Sequence, residues 1–154
     1  PINLASDSSI KEVSGCTFKN INYNDNFFGT SNKEFPFYNN VFEYTEDIIN
    51  PSIMWFSYAT QFTAKSCTFK NLKQNREGIL FSANQQLNMR FESCTFINIG
   101  KNDSTHYFKM NQAKLKLEMI GCTFSYDNSD IGSKLSSFSQ SDLIFDGCTF
   151  TWCP

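Results

Sequence analysis

Five of the six cysteines in this chain sit in one tripeptide, at Cys16-Thr17-Phe18, Cys67-Thr68-Phe69, Cys94-Thr95-Phe96, Cys122-Thr123-Phe124 and Cys148-Thr149-Phe150. A thiol can serve as a nucleophile, a metal ligand or half of a disulfide, and each use asks for its own spacing. A tetrahedral zinc site is built from close pairs such as Cys-x-x-Cys, whereas these cysteines are separated by 51, 27, 28 and 26 residues. A catalytic thiol needs a base, yet His106 is the single histidine, and with no nucleophile elbow and no partnered cysteine it forms no catalytic constellation. No metal, cofactor or enzymatic site is expected. The intervals describe a repeat instead. The first is close to twice the others, and near its middle lies Asn40-Val41-Phe42, a degenerate copy that keeps only the phenylalanine. Six copies result, with Phe18, Phe42, Phe69, Phe96, Phe124 and Phe150 at equivalent points.

The segments before each cysteine must position it. In Leu87 to Phe91, Leu115 to Met119 and Leu143 to Phe145 apolar residues alternate with mostly polar ones, the period of a half-buried strand. Ser14-Gly15, Glu92-Ser93, Ile120-Gly121 and Asp146-Gly147 then interrupt the run, and the small residue suits a tight bend. In the next short strand Cys and Phe share one face and Thr takes the other. Asn20-Ile21, Asn71-Leu72 and Asn98-Ile99 follow, and asparagine tolerates a left-handed corner. Polar loops of unequal length lead to a third apolar run at 53–56, 79–81, 106–108 and 135–138. No such third run is expected for the first coil, after Asn20-Ile21.

This pattern predicts an all-β fold, a single right-handed parallel β-helix spanning residues 1–154, with about six coils of 24–28 residues and three short strands per coil. With strands about 4.8 Å apart, the rod is on the order of 30 Å long. Helical solenoids need 3.6-residue patterning that is missing here, and propellers need four strands per blade.

The cysteines Cys16, Cys67, Cys94, Cys122 and Cys148 then form an internal ladder. A row of small buried hydrophobes is the leading reading, with rung-to-rung disulfides and metal binding as alternatives. Cys153 lies off the ladder and is free to pair with Cys148, to pair elsewhere or to stay reduced. Thr17, Thr68, Thr95, Thr123 and Thr149 form an outward hydroxyl row interrupted by Val41. Regular threonine rows resemble ice-binding faces, but the adjacent column of Lys19, Glu43, Lys70, Ile97, Ser125 and Thr151 is not uniform, and β-propensity accounts for the threonines. Glu92 and Asp146 share a column two coils apart, Glu118 faces Arg90 across adjacent coils, and Asp103, Asp127 and Asp130 fall on loops as the best candidates for a weak calcium site. Asn102-Asp103-Ser104 is the usable glycosylation sequon, since proline disqualifies Asn50-Pro51-Ser52.

A net charge of -2 and 18% charged residues argue against a nucleic-acid partner, and no apolar run reaches membrane-spanning length. The chain opens on Pro1-Ile2-Asn3, read as a processed product or a piece of something longer. Its repeat wording, Gly/Ser-Cys-Thr-Phe-x-Asn-Ile/Leu, resembles the right-handed parallel β-helix repeats of the pectin-lyase-like superfamily, in particular those of polymorphic outer-membrane and protist surface proteins. That resemblance implies a cell-surface or extracellular protein on a fold that hosts lyases, hydrolases, adhesins and spacers alike. Core positions repeat faithfully while exposed ones carry no repeated chemistry. The expectation is a non-enzymatic structural or adhesive module whose partners are neighbouring coils, copies of itself or glycans. The alternative is a carbohydrate-active domain with a saccharide groove lined by Tyr23, Tyr44, Tyr58, Tyr107, Tyr126 and the two tryptophans.

Overall fold

A computed structural model describes residues 2–4, 12–21, 28–30, 34–45, 54–56, 61–72, 78–83, 87–99, 106–110, 115–126, 134–137 and 142–151, with side chains for 12–21, 36–45, 61–72, 88–99, 116–126 and 142–151. Among these residues there are eighteen strands and no helix. The first coil holds β1 (Ile2–Leu4), β2 (Val13–Ser14) and β3 (Thr17–Lys19), and the second β4 (Phe28–Thr30), β5 (Glu34–Tyr38) and β6 (Val41–Glu43). The third holds β7 (Met54–Phe56), β8 (Gln61–Lys65) and β9 (Thr68–Lys70), and the fourth β10 (Gly78–Ala83), β11 (Leu87–Glu92) and β12 (Thr95–Ile97). The fifth holds β13 (His106–Met110), β14 (Leu115–Ile120) and β15 (Thr123–Ser125), and the sixth β16 (Lys134–Ser137), β17 (Asp142–Asp146) and β18 (Thr149–Thr151).

Every third strand pairs in parallel with its equivalent one coil away, giving three six-stranded sheets in the orders β1-β4-β7-β10-β13-β16, β2-β5-β8-β11-β14-β17 and β3-β6-β9-β12-β15-β18. The fold is a parallel β-helix. One expectation fails at its start. The sequence predicts no third apolar strand after the first Cys-Thr-Phe copy, yet Phe28–Thr30 follows it and pairs with Ile2–Leu4 on one side and Met54–Phe56 on the other. Three residues are too few to show alternation, so only pairing with the next coil reveals that strand.

Both corners beside the cysteine strand use left-handed backbone. The residue before each Cys-Thr-Phe copy has positive φ in all six coils: Gly15, Asn39, Ser66, Ser93, Gly121 and Gly147, at 52° to 66°. Its N–H still donates to the next coil, as from Ser66 to the Glu92 carbonyl at 2.9 Å and from Gly121 to the Asp146 carbonyl at 2.8 Å. The corner thus turns the chain without interrupting the ladder of backbone bonds. The second corner is left-handed at Asn20, Asn71 and Asn98.

Register carries the sequence repeat into the core. Phe18, Phe42, Phe69, Phe96, Phe124 and Phe150 are successive partners in one column. Their rings stack face to face at 4.5, 6.0, 5.2, 4.9 and 4.8 Å. Facing them, Phe37, Ala64, Phe91 and Met119 are buried on the sheet of β5, β8, β11 and β14, beside Phe62, Met89 and Leu117. The interior is one continuous apolar column, closed at the far side of the second corner by Leu72 and Ile99.

Candidate functional site

The cysteines have the most distinctive chemistry in the core. Each lies at the bend between a left-handed corner residue and a three-residue strand, so register carries Cys67, Cys94, Cys122 and Cys148 into one inward column. Cys67, Cys94 and Cys122 are buried; Cys148, on the sixth coil, and Cys16, on the first, are half-buried. All five are free thiols. Cys153 lies outside the described residues.

Every thiol of the column makes the same pair of contacts. Sγ of Cys67 lies 3.3 Å from the Phe37 carbonyl, of Cys94 3.6 Å from that of Ala64, of Cys122 3.5 Å from that of Phe91, and of Cys148 3.2 Å from that of Met119. The second acceptor is the carbonyl two residues back in the same coil, at 3.3 to 3.7 Å. A single S–H is shared between the two carbonyls, and the one in the same coil already accepts a backbone N–H from the coil before, as that of Lys65 does from Asn39 and that of Glu92 from Ser66, both at 2.9 Å. The thiol is therefore a compact apolar group whose weak donor supplements the backbone bonds of the corner.

Asn40 explains the degenerate copy. It is fully buried in the cysteine position, and its Nδ2 donates to the Val13 carbonyl at 2.8 Å, the carbonyl in register with those the thiols face. Its Oδ1 accepts the Cys16 backbone N–H at 2.9 Å. Asparagine thus replaces the thiol's donor and adds an acceptor. It also interrupts the sulfur column between Cys16 and Cys67.

Within the uninterrupted column neighbouring thiols influence one another electrostatically, Cys67 with Cys94, Cys94 with Cys122 and Cys122 with Cys148. Set between two neighbouring thiols and buried, Cys94 has its pKa raised above the ordinary thiol value. Cys67 and Cys122, on either side of it, are drawn down chiefly by Cys94, Cys122 to about 7. Burial pushes Cys148 up.

The outer faces have simpler chemistry. Lys65 Nζ lies 2.8 Å from Glu92, Arg90 bridges Glu92 and Glu118, the latter at 2.7 Å, and Lys116 reaches Glu118 at 2.8 Å. The Glu92 carboxyl is held below the usual carboxylate range by Lys65 and then Arg90, and that of Glu118 by Lys116 and then Arg90. The Arg90–Glu118 cross-strand pair expected from spacing is present, as one link of this network. Glu92 and Asp146 stand in one column with Ile120 between them, about two strand spacings or roughly 10 Å apart, too far for direct acid/base work. On the adjacent face Thr17, Val41, Thr68, Thr95, Thr123 and Thr149 form one outward row. Among the described residues no three histidine, cysteine or acidic side chains converge on a point that could hold a metal ion.

Two aromatic candidates for a saccharide platform are corrected. Tyr44 and Tyr126 are only 3% and 7% exposed, because both occupy the second-corner column where other coils place asparagine and turn into the core instead. Tyr126 Oη donates to the Ile99 carbonyl at 3.3 Å. The signal for this is in the sequence: each tyrosine lies two residues after a core phenylalanine, as Asn20, Asn71 and Asn98 do. Asn71 in turn donates Nδ2 to the Tyr44 carbonyl at 2.9 Å and Asn98 to Asn71 Oδ1 at 3.1 Å, a side-chain ladder along that edge. Asn102, Asp103, Asp127, Asp130, Tyr23, Tyr58 and Trp152 lie outside the described residues; of His106, Tyr107 and Trp55 only the backbone position in the first sheet is described.

Among the described residues no helix is long and apolar enough to cross a membrane. No family model matches the chain, and comparison with curated proteins and with solved structures also gives no match.

Proposed function

We propose that this chain is a non-enzymatic structural or adhesive β-solenoid module of an extracellular or cell-surface protein. The observation that carries the reading is the contrast between columns. Inward, one column is phenylalanine in every coil. Outward, apart from the threonine row for which β-propensity accounts, the side chains vary: the column of β5, β8, β11, β14 and β17 runs Pro36, Thr63, Arg90, Glu118 and Ile144. Such a sequence maintains a rod and leaves its surface free to vary, as a spacer or adhesive scaffold requires. Burial of Tyr44 and Tyr126 removes two platforms from the saccharide-groove alternative, leaving that reading to the remaining aromatics and to glycans as partners.

The likeness of the repeat wording to pectin-lyase-like surface-protein repeats belongs to the same proposal, as do passage through the secretory pathway and a glycan on Asn102. Assembly along the rod axis is part of it too. Phe145 and Phe150 of the sixth coil are 38% and 53% exposed, whereas Met119 and Phe124 one coil earlier are buried, and end-to-end stacking of a second copy over these rings is the assembly proposed. Cryo-electron microscopy of the protein isolated from its source, without refolding, tests the reading. Filaments or rods with coils continuing beyond the sixth are expected. Discrete particles carrying an oligosaccharide in a lateral groove would replace it with the carbohydrate-active alternative.

A further inference from the structure

The repeated contacts of the thiols fix more than their burial. Because Cys67, Cys94, Cys122 and Cys148 each approach the carbonyl of the equivalent residue one coil back, at 3.2 to 3.6 Å, they share one side-chain geometry. Successive sulfurs are then related by the rise of one coil, about 4.8 Å for paired parallel strands. Because the strands that follow these cysteines pair in register, the line from one sulfur to the next runs along the rod axis. These are the demands of a two-coordinate ion between two thiolates: metal–sulfur bonds of about 2.3 Å placed end to end span roughly 4.6 Å, close to one coil rise. A tetrahedral ion is not served by this geometry, since the sulfurs lie on a line and, among the described residues, no third ligand converges with them.

We propose that the column is a binding site for soft, two-coordinate cations of the Cu(I) and Hg(II) class, held linearly between the thiolates of neighbouring coils. Thiolate ligands select such ions over harder ones. Four consecutive sulfurs accommodate two ions, one between Cys67 and Cys94 and one between Cys122 and Cys148. Cys16 is excluded, because Asn40 occupies the intervening rung. At each site two S–H bonds break, two metal–sulfur bonds form and two protons leave, with no change of oxidation state. With Hg(II) the product is neutral, which suits the phenylalanine-walled interior. Because both thiols of a pair must lose their protons, affinity rises with pH.

The test titrates Hg(II) into the full chain carrying Cys153→Ser, under anaerobic conditions with a monothiol competitor that strips singly bound ions. Two ions per chain, two protons released per ion, and an X-ray absorption spectrum with two sulfur neighbours in a linear arrangement are expected. Adding Cys94→Ser, which keeps a donor for the Ala64 carbonyl, should leave one ion per chain, and adding Cys16→Ser should leave two. Three- or four-sulfur coordination, ions shared between chains in sedimentation velocity, or no retention against the competitor would each overturn the proposal. The wild-type coordination number decides the matter even if Cys94→Ser fails to fold.

Discussion

At the scale of single residues, the inward and outward positions of one strand make opposite demands. Phe96 is buried between the rings of Phe69 and Phe124, at 5.2 and 4.9 Å, and Thr95 beside it faces outward. Phe96→Ala should cost about 3–5 kcal/mol through the cavity it leaves, and Thr95→Ser no more than about 0.5 kcal/mol, as read from urea midpoints at constant slope. Equal sensitivity would reverse the assignment of faces. Asn40 offers a sharper comparison. Asn40→Ala removes the side-chain partner of the half-buried Cys16 N–H and Val13 carbonyl, and should cost about 1–3 kcal/mol. Asn40→Cys restores the donor toward Val13 that the other coils use, so it should destabilise less than alanine in the same assay. If the two variants are indistinguishable, the thiol is only a space-filler at these bends.

Elements are held by their corners and by charge between strands. Gly121 has φ of +59°, and a methyl group there would meet nothing nearer than Ser93 Oγ at 3.8 Å, so space is not the obstacle to a side chain. Gly121→Ala should still cost on the order of 1–2 kcal/mol because an L-residue disfavours that backbone, and Ser93→Gly, at φ of +52°, should stabilise in thermal melts for the same reason. The network of Lys65, Arg90, Glu92, Lys116 and Glu118 ties β8, β11 and β14 together on the solvent side. Its carboxylates have native pKa values below their unfolded ones. Their contribution is therefore complete above the unfolded carboxylate value, about 4.3 for glutamate, and is lost as pH falls through the depressed native values. Urea midpoints should drop across that acid window and with added salt, and the double variant Glu92→Gln, Glu118→Gln should show a shallower drop. An unchanged profile in the double variant would remove the network from the account of stability.

Across the whole molecule, stability is nearly one-dimensional, because each coil contacts chiefly the one before and the one after. Deleting Thr68 to Cys94, one complete 27-residue repeat by register, joins Cys67 to Thr95 and preserves every column. The product should be a folded five-coil rod with a small loss of β-sheet ellipticity. Deleting about half that length should abolish cooperative melting, since every inward residue of the following coils would lose its partner. A folded half-repeat deletion would contradict the columnar account.

Much of this organisation is readable in the sequence because its causes are local. Alternation of Leu, Met and Phe with polar residues, the Gly or Ser before cysteine and the Asn after Cys-Thr-Phe each act within a few residues, so period, coil count and inward faces follow from them. What fills a column depends on residues one coil away, and there the tertiary structure decides. It recruits Ile2–Leu4 and Phe28–Thr30 as strands too short to carry a pattern, and it turns Tyr44 and Tyr126 inward at an asparagine corner. It also sets Asn40 to bond where a thiol would, and threads Arg90 between two glutamates. The physical reason is the parallel register: it places side chains about 27 residues apart in sequence within one strand spacing, about 4.8 Å, and at that distance neighbours rather than intrinsic preference settle where each group points.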